Sequence, residues 1–159
     1  MTAARFGANL RRFGGLVRAN GTFVVQEGSR ALHRSMVQTS PIDTGQLRSS
    51  MQVGVDTRPS PRPEDLLPAR RGQYPPAQAT IDIGNLELRR ATIGSVIFVS
   101  SFVRHAEIND RGLHRPANSA KVSGGFSTQS PQGMSGPSLV VAHAAVLEAA
   151  RRARAAFGL

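Results

Sequence analysis

The sequence predicts an α+β domain in which a small, mainly antiparallel sheet is packed by a long N-terminal helix and a C-terminal helix, with a long proline-rich loop between. Three observations predict it. Apolar residues recur at helical spacing near both ends of the chain, at Phe6, Leu10, Phe13 and Val17 and again from Leu139 to Phe157. Between them lie an alternating stretch at Met51 to Val55 and a β-branched run at Val96 to Val99. Six prolines between Arg58 and Ala79 separate the two strand signals, since proline supports neither a helix nor a sheet ladder.

In chain order, Arg5 to Gln38 reads as one long helix with a weak point, or as two helices meeting near Asn20. Gly14-Gly15 and Asn20-Gly21 interrupt the pattern, each glycine costing about 1 kcal/mol against alanine in a helix interior. The apolar stripe is expected to pack on the sheet, with His33 and Arg34 on the polar side. Ser40 to Ser50 then forms a joint. Pro41 stops the helix, Asp43 or Thr44 caps a new turn, and Gly45 allows a bend that a Cβ would obstruct. Leu47 points into the core, while Arg48, Ser49 and Ser50 stay polar.

After the joint, Met51, Val53 and Val55 alternate with polar or small residues and predict a half-buried strand ending at Thr57. The run 58–79 is expected to be an extended arm or loop, able to lie across a neighbouring subunit. Ile81 to Thr92 reads as a short helix after Gly84, with Leu86, Leu88 and Ala91 apolar, or as a strand, since Ile81-Asp82-Ile83 alternates. Val96 to Val99 should be a central strand covered on both faces. Phe102 to Ile108 carries the core edge outward, Asn109 to Gly112 has turn chemistry, and 109–126 is expected to be a flexible loop. Pro137 fits the first turn of a helix running to about Ala156, with Leu139, His143, Val146, Ala150, Ala153 and Phe157 as its buried stripe.

The 159 residues are read as a single domain, 1–159. Cysteine is absent, which removes disulfides and thiolate chemistry and fits a reducing compartment. No apolar run approaches the roughly 20 residues of a membrane span, and the N-terminus has no leader-like apolar segment. The net charge of +10 is carried almost wholly by arginine, because Lys121 is the single lysine. A field of that sign favours polyanions without choosing among them. The arginines come as pairs (Arg11-Arg12, Arg70-Arg71, Arg89-Arg90, Arg151-Arg152), and GC-rich codon usage would supply them equally well.

No catalytic constellation stands out. His105, Glu107, Asp110 and His114 are close in sequence, but their spacing matches no zinc motif. Ser49-Ser50 lacks an evident base, His143 belongs to a helical stripe, and no phosphate or dinucleotide glycine loop is present. No cofactor or metal and no enzymatic activity is therefore expected.

Pro41-Ile42-Asp43-Thr44-Gly45-Gln46-Leu47-Arg48-Ser49-Ser50 resembles the P-V-D-T-G-x-L-R-x-S signature of tail-completion and head-tail joining proteins of long-tailed bacteriophages, a group that includes the minor tail protein Z relatives. Gly94-Ser95-Val96-Ile97-Phe98-Val99-Ser100-Ser101, His105-Ala106-Glu107-Ile108 and Ser127-Thr128-Gln129-Ser130-Pro131-Gln132-Gly133-Met134 resemble that group's later blocks, in the same order. His105-Ala106 stands where the family has Tyr-Ala, and Asn109 to Gly125 separates blocks that are usually close.

The resemblance implies a structural virion protein of the neck, assembled in the host cytoplasm. Such a protein forms a homo-oligomeric ring, commonly a hexamer, between the tail tube protein and the head-closure protein, around the DNA channel. It further implies that Asp43, Thr44, Gly45, Leu47 and Arg48 set the fold corner, and that Gln129, Pro131, Gly133 and Met134 line or brace a subunit interface. Lumen arginines would touch packaged DNA without reading its sequence, and no membrane is involved. The charge alone supports a different reading, a small basic DNA-binding protein.

Overall fold

The computed structural model describes residues 3–42, 45–68, 74–114 and 121–156. The N-terminal segment is one continuous helix, α1 (Ala3–Thr39), about 55 Å long at 1.5 Å per residue. Its glycines do not divide it. Each weakens the ladder by about 1 kcal/mol, and no proline or competing cap intervenes to end it.

The other long helix, α5 (Ser135–Ala156), runs antiparallel to the C-terminal half of α1. At one end of their seam the Ser40 hydroxyl meets the Met134 thioether at 3.2 Å. At the other, Arg152 lies 3.5 Å from the Glu27 carboxylate and 5.2 Å over the Phe23 ring. Between these ends the backbones come close at Gly28, where any Cβ would collide with Val146.

That close approach corrects the expected face of α5. Its buried residues are Ser138, Ala149 and Ala153, with Ala142, Ala145 and Val146 half-covered, whereas Leu139, His143 and Ala150 are exposed. The helix is turned so that its small residues meet α1, and the larger leucine is left outside. Phe157 lies outside the described residues.

The sheet is a two-stranded antiparallel pair, β1 (Gln52–Val55) and β2 (Ile97–Ser100), in register Gln52 with Ser100 through Val55 with Ile97. The strand expected to be covered on both faces is therefore half-buried along its length, and Val96 just before it is exposed. With a single partner strand, β2 has an open edge. The pair is closed at one end by Asp56, whose carboxylate accepts from the Val96 N–H (2.8 Å) and the Ser95 hydroxyl (3.1 Å). A second small ribbon, β3 (Val122–Ser123) with β4 (Phe126–Ser127), turns at Gly124-Gly125. Part of the segment expected to be a flexible loop is thus a two-residue hairpin.

The proline-rich run is not a free arm over its described residues. Pro63–Asp65 forms a 3₁₀ turn whose buried Asp65 carboxylate accepts from Gln52 Nε2 (2.8 Å), from Arg62 Nη2 (3.0 Å) and from the Arg62 backbone N–H (3.0 Å). Arg62 Nη2 also donates to the Ser49 carbonyl at 2.8 Å. These bonds give the prolines, which cannot pair with each other, a fixed place against the sheet. Residues 69–73 of the run lie outside the described residues.

Helix α3 (Ala77–Leu88) begins earlier than the position after Gly84, directly behind Pro76. Thr80, Ile81, Gly84 and Leu88 face inward, so Ile83 and Leu86 are exposed and the apparent alternation of Ile81 and Ile83 carries no strand. Asn109-Asp110-Arg111 likewise belongs to a helix, α4 (Ala106–Arg111), ended by a left-handed Gly112.

The main core gathers Val37, Leu47, Met51, Ile81, Val103 and Met134, and a smaller one joins Val55, Leu88 and Ala91. His33, expected on the polar side of α1, is fully buried with its ring against Gly84. Two neighbours, α3 and α5, enclose that half of α1, so positions off the main apolar line are covered as well. The stripe at the other end does not pack on the sheet: Phe6 is 59% exposed, Leu10 60%, Phe13 58% and Val17 43%.

Candidate functional site

The joint between α1 and β1 is densely bonded over its described residues. Ser40 ends α1, its hydroxyl donating to Met36 O at 2.6 Å. After the bend, a single helical turn, α2 (Gln46–Ser49), carries Leu47 into the main core. Gly45 precedes it at φ 84°, a left-handed conformation that a residue with a Cβ adopts only under strain. Arg48 Nη2 donates to Gln38 O (3.2 Å) and Ser40 O (3.0 Å), so a cation sits where the last carbonyls of α1 lack helical partners.

Ser49 and Ser50, read from the sequence as the polar residues of the joint, are both buried. The Ser49 hydroxyl donates to Gln46 O at 3.0 Å. Ser50 Oγ lies 2.8 Å from Leu47 O and 2.6 Å from Ser101 Oγ, linking the turn to the strand behind it. Gln46, also buried, donates to Leu67 O at 2.9 Å and so holds the proline-rich run to the joint.

The second motif, Ser127 to Met134, folds onto the first. Gln129 Oε1 accepts the Ile42 N–H at 2.6 Å, and Met134 enters the core beside Ser40. Gly133, at φ 75°, lies against the Asp110 backbone, and its carbonyl accepts from Ser130 Oγ at 2.7 Å.

Asp110 organises this loop from the end of α4. One carboxylate oxygen accepts the backbone N–H groups of Met134 and Ser135, both at 2.7 Å, and the other accepts the Ser135 hydroxyl at 2.7 Å. It thereby caps the first turn of α5 from outside that helix. Burial alone would raise the Asp110 carboxyl. The bonds from Ser135 and Met134, with the Arg111 charge, outweigh it and hold the group below the ordinary carboxylate range.

The predicted site residues thus fall into four groups. Gly45, Leu47 and Arg48 sit in the joint, and Asp43 and Thr44 lie outside the described residues. Gly133 and Met134 are buried within the chain, and Gln129 and Pro131 are exposed, so only the latter two present surface to a neighbour. The residues that sequence reasoning missed are Asp110, Gln46 and the Arg62-Asp65 pair. Gln46 sits inside the quoted motif at a buried position, a usable signal. Asp110 acts across 25 positions and leaves no local pattern.

Three of the four residues considered for a metal are engaged elsewhere. Asp110 caps α5, Glu107 pairs with Arg111 at 3.1 Å, and His114 Nε2 meets Asn109 Oδ1 at 3.0 Å. His105 is pushed down by burial and by its neighbour His114. Among the described residues no group of His, Asp and Glu gathers around a common point. A shallow depression beside the joint is lined by Met36, Met51, Ser101, Glu107, Asp110, Arg111 and Met134, and its two carboxylates are engaged by Arg111 and by the first turn of α5. None of the described helices is long and apolar enough to cross a membrane.

This geometry defines an α+β domain whose polar groups are used to brace its own corner. Comparison with known proteins adds no relative: no family model, no curated protein and no solved structure matches the chain.

Proposed function

We propose that the chain is a structural protein of a bacteriophage neck, completing the tail and joining it to the head-closure ring around the DNA channel. One observation carries the reading. The two motif blocks that resemble the tail-completion group lie almost ninety residues apart, yet they form one structural unit, through Ile42 with Gln129 and Ser40 with Met134. A chance match of either block has no reason to bring them together.

In this reading the protein acts by assembly and not by turnover. Copies form a closed ring, of which a hexamer is the expected form, with different patches meeting around the axis. Gln129 and Pro131 are exposed positions of the second motif, and in this reading a neighbour touches them. The head-closure protein and the tail tube protein are its axial partners, and exposed arginines tolerate passing DNA through phosphate contacts.

The test is to probe purified tailed particles with an antibody to this chain and to locate the label by electron microscopy. Label at the head-tail junction supports the proposal. Its absence from mature particles, together with failure of the purified protein to join tail tubes, rejects it.

A second reading, a DNA-binding protein, is favoured by the first part of α1, where Arg5, Arg11, Arg12 and Arg18 are exposed and no carboxylate precedes Glu27. It predicts duplex binding at physiological salt that weakens steeply as salt rises. Binding that is already lost at about 0.15 M salt argues against it.

A further inference from the structure

Over the described residues, the pairing of α1 with α5 stops before α1 does. Arg152, one turn from the end of described α5, lies against Phe23 and Glu27. The turn around Ile93 packs at Gly21 and Thr22. Residues 4–19 extend beyond both, about 24 Å of helix at 1.5 Å per residue. This segment is not merely polar overhang. Phe6, Leu10 and Val17 lie on the line that continues through Val24 and Gly28, the line that α5 covers lower down. The seam between the helices therefore continues for about four more turns without the described part of α5 upon it.

A second apolar face lies on the far side of α5. Leu139 is 59% exposed, Val140 71% and Leu147 47%, and between them are His143 and Ala144. No Asp, Glu, Lys or Arg occurs from Ser135 to Leu147. The spacing 140, 143, 147 and 150 repeats the three-and-four steps of the α1 line, so the two surfaces can interlock as ridges and grooves. Their lengths also agree, since Gly136 to Ala150 spans about 22 Å. Arg5, Arg11, Arg12 and Arg18 flank the α1 line on both sides, leaving its centre apolar and opposite an uncharged face.

We propose that the protruding part of α1 docks on the outer face of α5 of a second copy of this chain. The occupant is argued from the fold itself. The stripe continues a seam already filled by α5, and α5 offers a further face of matching length and spacing. The contact is heterologous, one arm to one α5 face, so each copy retains a free arm and a free face for further neighbours. Covering both stripes removes on the order of 1,000 Å² from water, the lower end of specific interfaces. The inference deepens the proposed function by naming the surface that would join copies into a ring, and it is tested apart from it.

The experiment uses the full chain and two variants, Leu10→Glu on the arm and Val140→Glu on α5, each at a well-exposed position so that the monomer fold is retained, as circular dichroism checks. Mass is followed by analytical ultracentrifugation from about 1 to 200 µM, the range expected for an interface of this size. The wild-type chain should grow in mass with concentration, and either substitution should weaken self-association about tenfold or more. An equimolar mixture of the two variants should form heterodimers and nothing larger, because one intact arm and one intact face remain between them.

A wild-type chain that stays monomeric overturns the proposal. If that monomer also binds phosphatidylglycerol vesicles, the stripe belongs to a lipid surface instead. Variants that assemble like wild type overturn it too, as does a mixture that remains monomeric; self-association of Val140→Glu alone, with Leu10→Glu monomeric, would indicate arm-to-arm pairing. Self-association through these faces with no label on phage particles would leave this contact standing and remove the neck reading.

Discussion

The two halves of α1 carry the same apolar periodicity and meet opposite fates. From Phe23 to Thr39 the helix is clasped by α5 and α3, and Val37 and His33 are wholly enclosed. On residues 4–19 of the same helix, Phe6, Leu10, Leu16 and Val17 are exposed. The difference lies in the partners and not in the helix. A stripe at 3.6 spacing states that a face needs cover, and the partner's length decides how much of it receives cover within one chain.

Substitutions matched between the two regions should separate them, and the largest contrast is in the core. Leu47→Ala, beside the clasped half, empties a fully enclosed site and should cost about 2–5 kcal/mol in urea unfolding. Leu10→Ala on the arm should change monomer stability by less than about 0.5 kcal/mol. Equal losses for the two would mean that the arm is packed in the monomer.

Glycines give the next contrast. Gly28→Val forces a branched side chain into Val146 and should cost about 1–3 kcal/mol, read as a lower thermal midpoint. Gly14→Ala meets open space and should instead strengthen the helix locally by about 1 kcal/mol, read as slower amide exchange around it. A destabilising Gly14→Ala would show a contact on the arm.

A smaller effect tests what secures the far end of the clasp. Asp110→Asn keeps an acceptor but removes the charge that caps α5, and should cost about 0.5–2 kcal/mol. Because the folded carboxyl lies below its unfolded value, its contribution is complete above about pH 4 and is lost as pH falls through the folded pKa. The variant should therefore lose less stability than wild type on acidification, and parallel curves would contradict the assignment.

The smallest expected signal comes from His33. Burial lowers its pKa below 6.5, and the Met51 backbone offsets this only in part. The unfolded chain then binds the extra proton first, so stability is full above pH 6.5 and declines as pH falls through the folded value. His33→Phe, which keeps a flat ring against Gly84, should flatten urea midpoints between about pH 5 and 7. An unchanged slope would place the titrating group elsewhere.

Much of this fold was legible from the residues. Periodicity located both long helices and both strands of the main sheet, and Pro41 with Gly45 located the corner, because each of those signals is local in sequence. The misreadings share a cause in tertiary contact. The inward face of α5 was misplaced because the closeness of Gly28 selects alanines over leucine there. The proline-rich run appeared free because Asp65 finds Gln52 and Arg62 only after the chain has folded back. His33 appeared polar because α3 supplies a glycine on which its ring lies. At the candidate site the motif residues were identifiable, while Asp110, which joins α4 to α5, has no sequence signature at that distance.

The uninterrupted run of α1 also makes it a lever. With its fulcrum near Gly21, a tilt of about 10° displaces the far tip by about 5 Å, given 1.5 Å of rise per residue. A stiff rod of that kind lets a small adjustment inside one globule accommodate a sizeable mismatch in the spacing of whatever its tip grips.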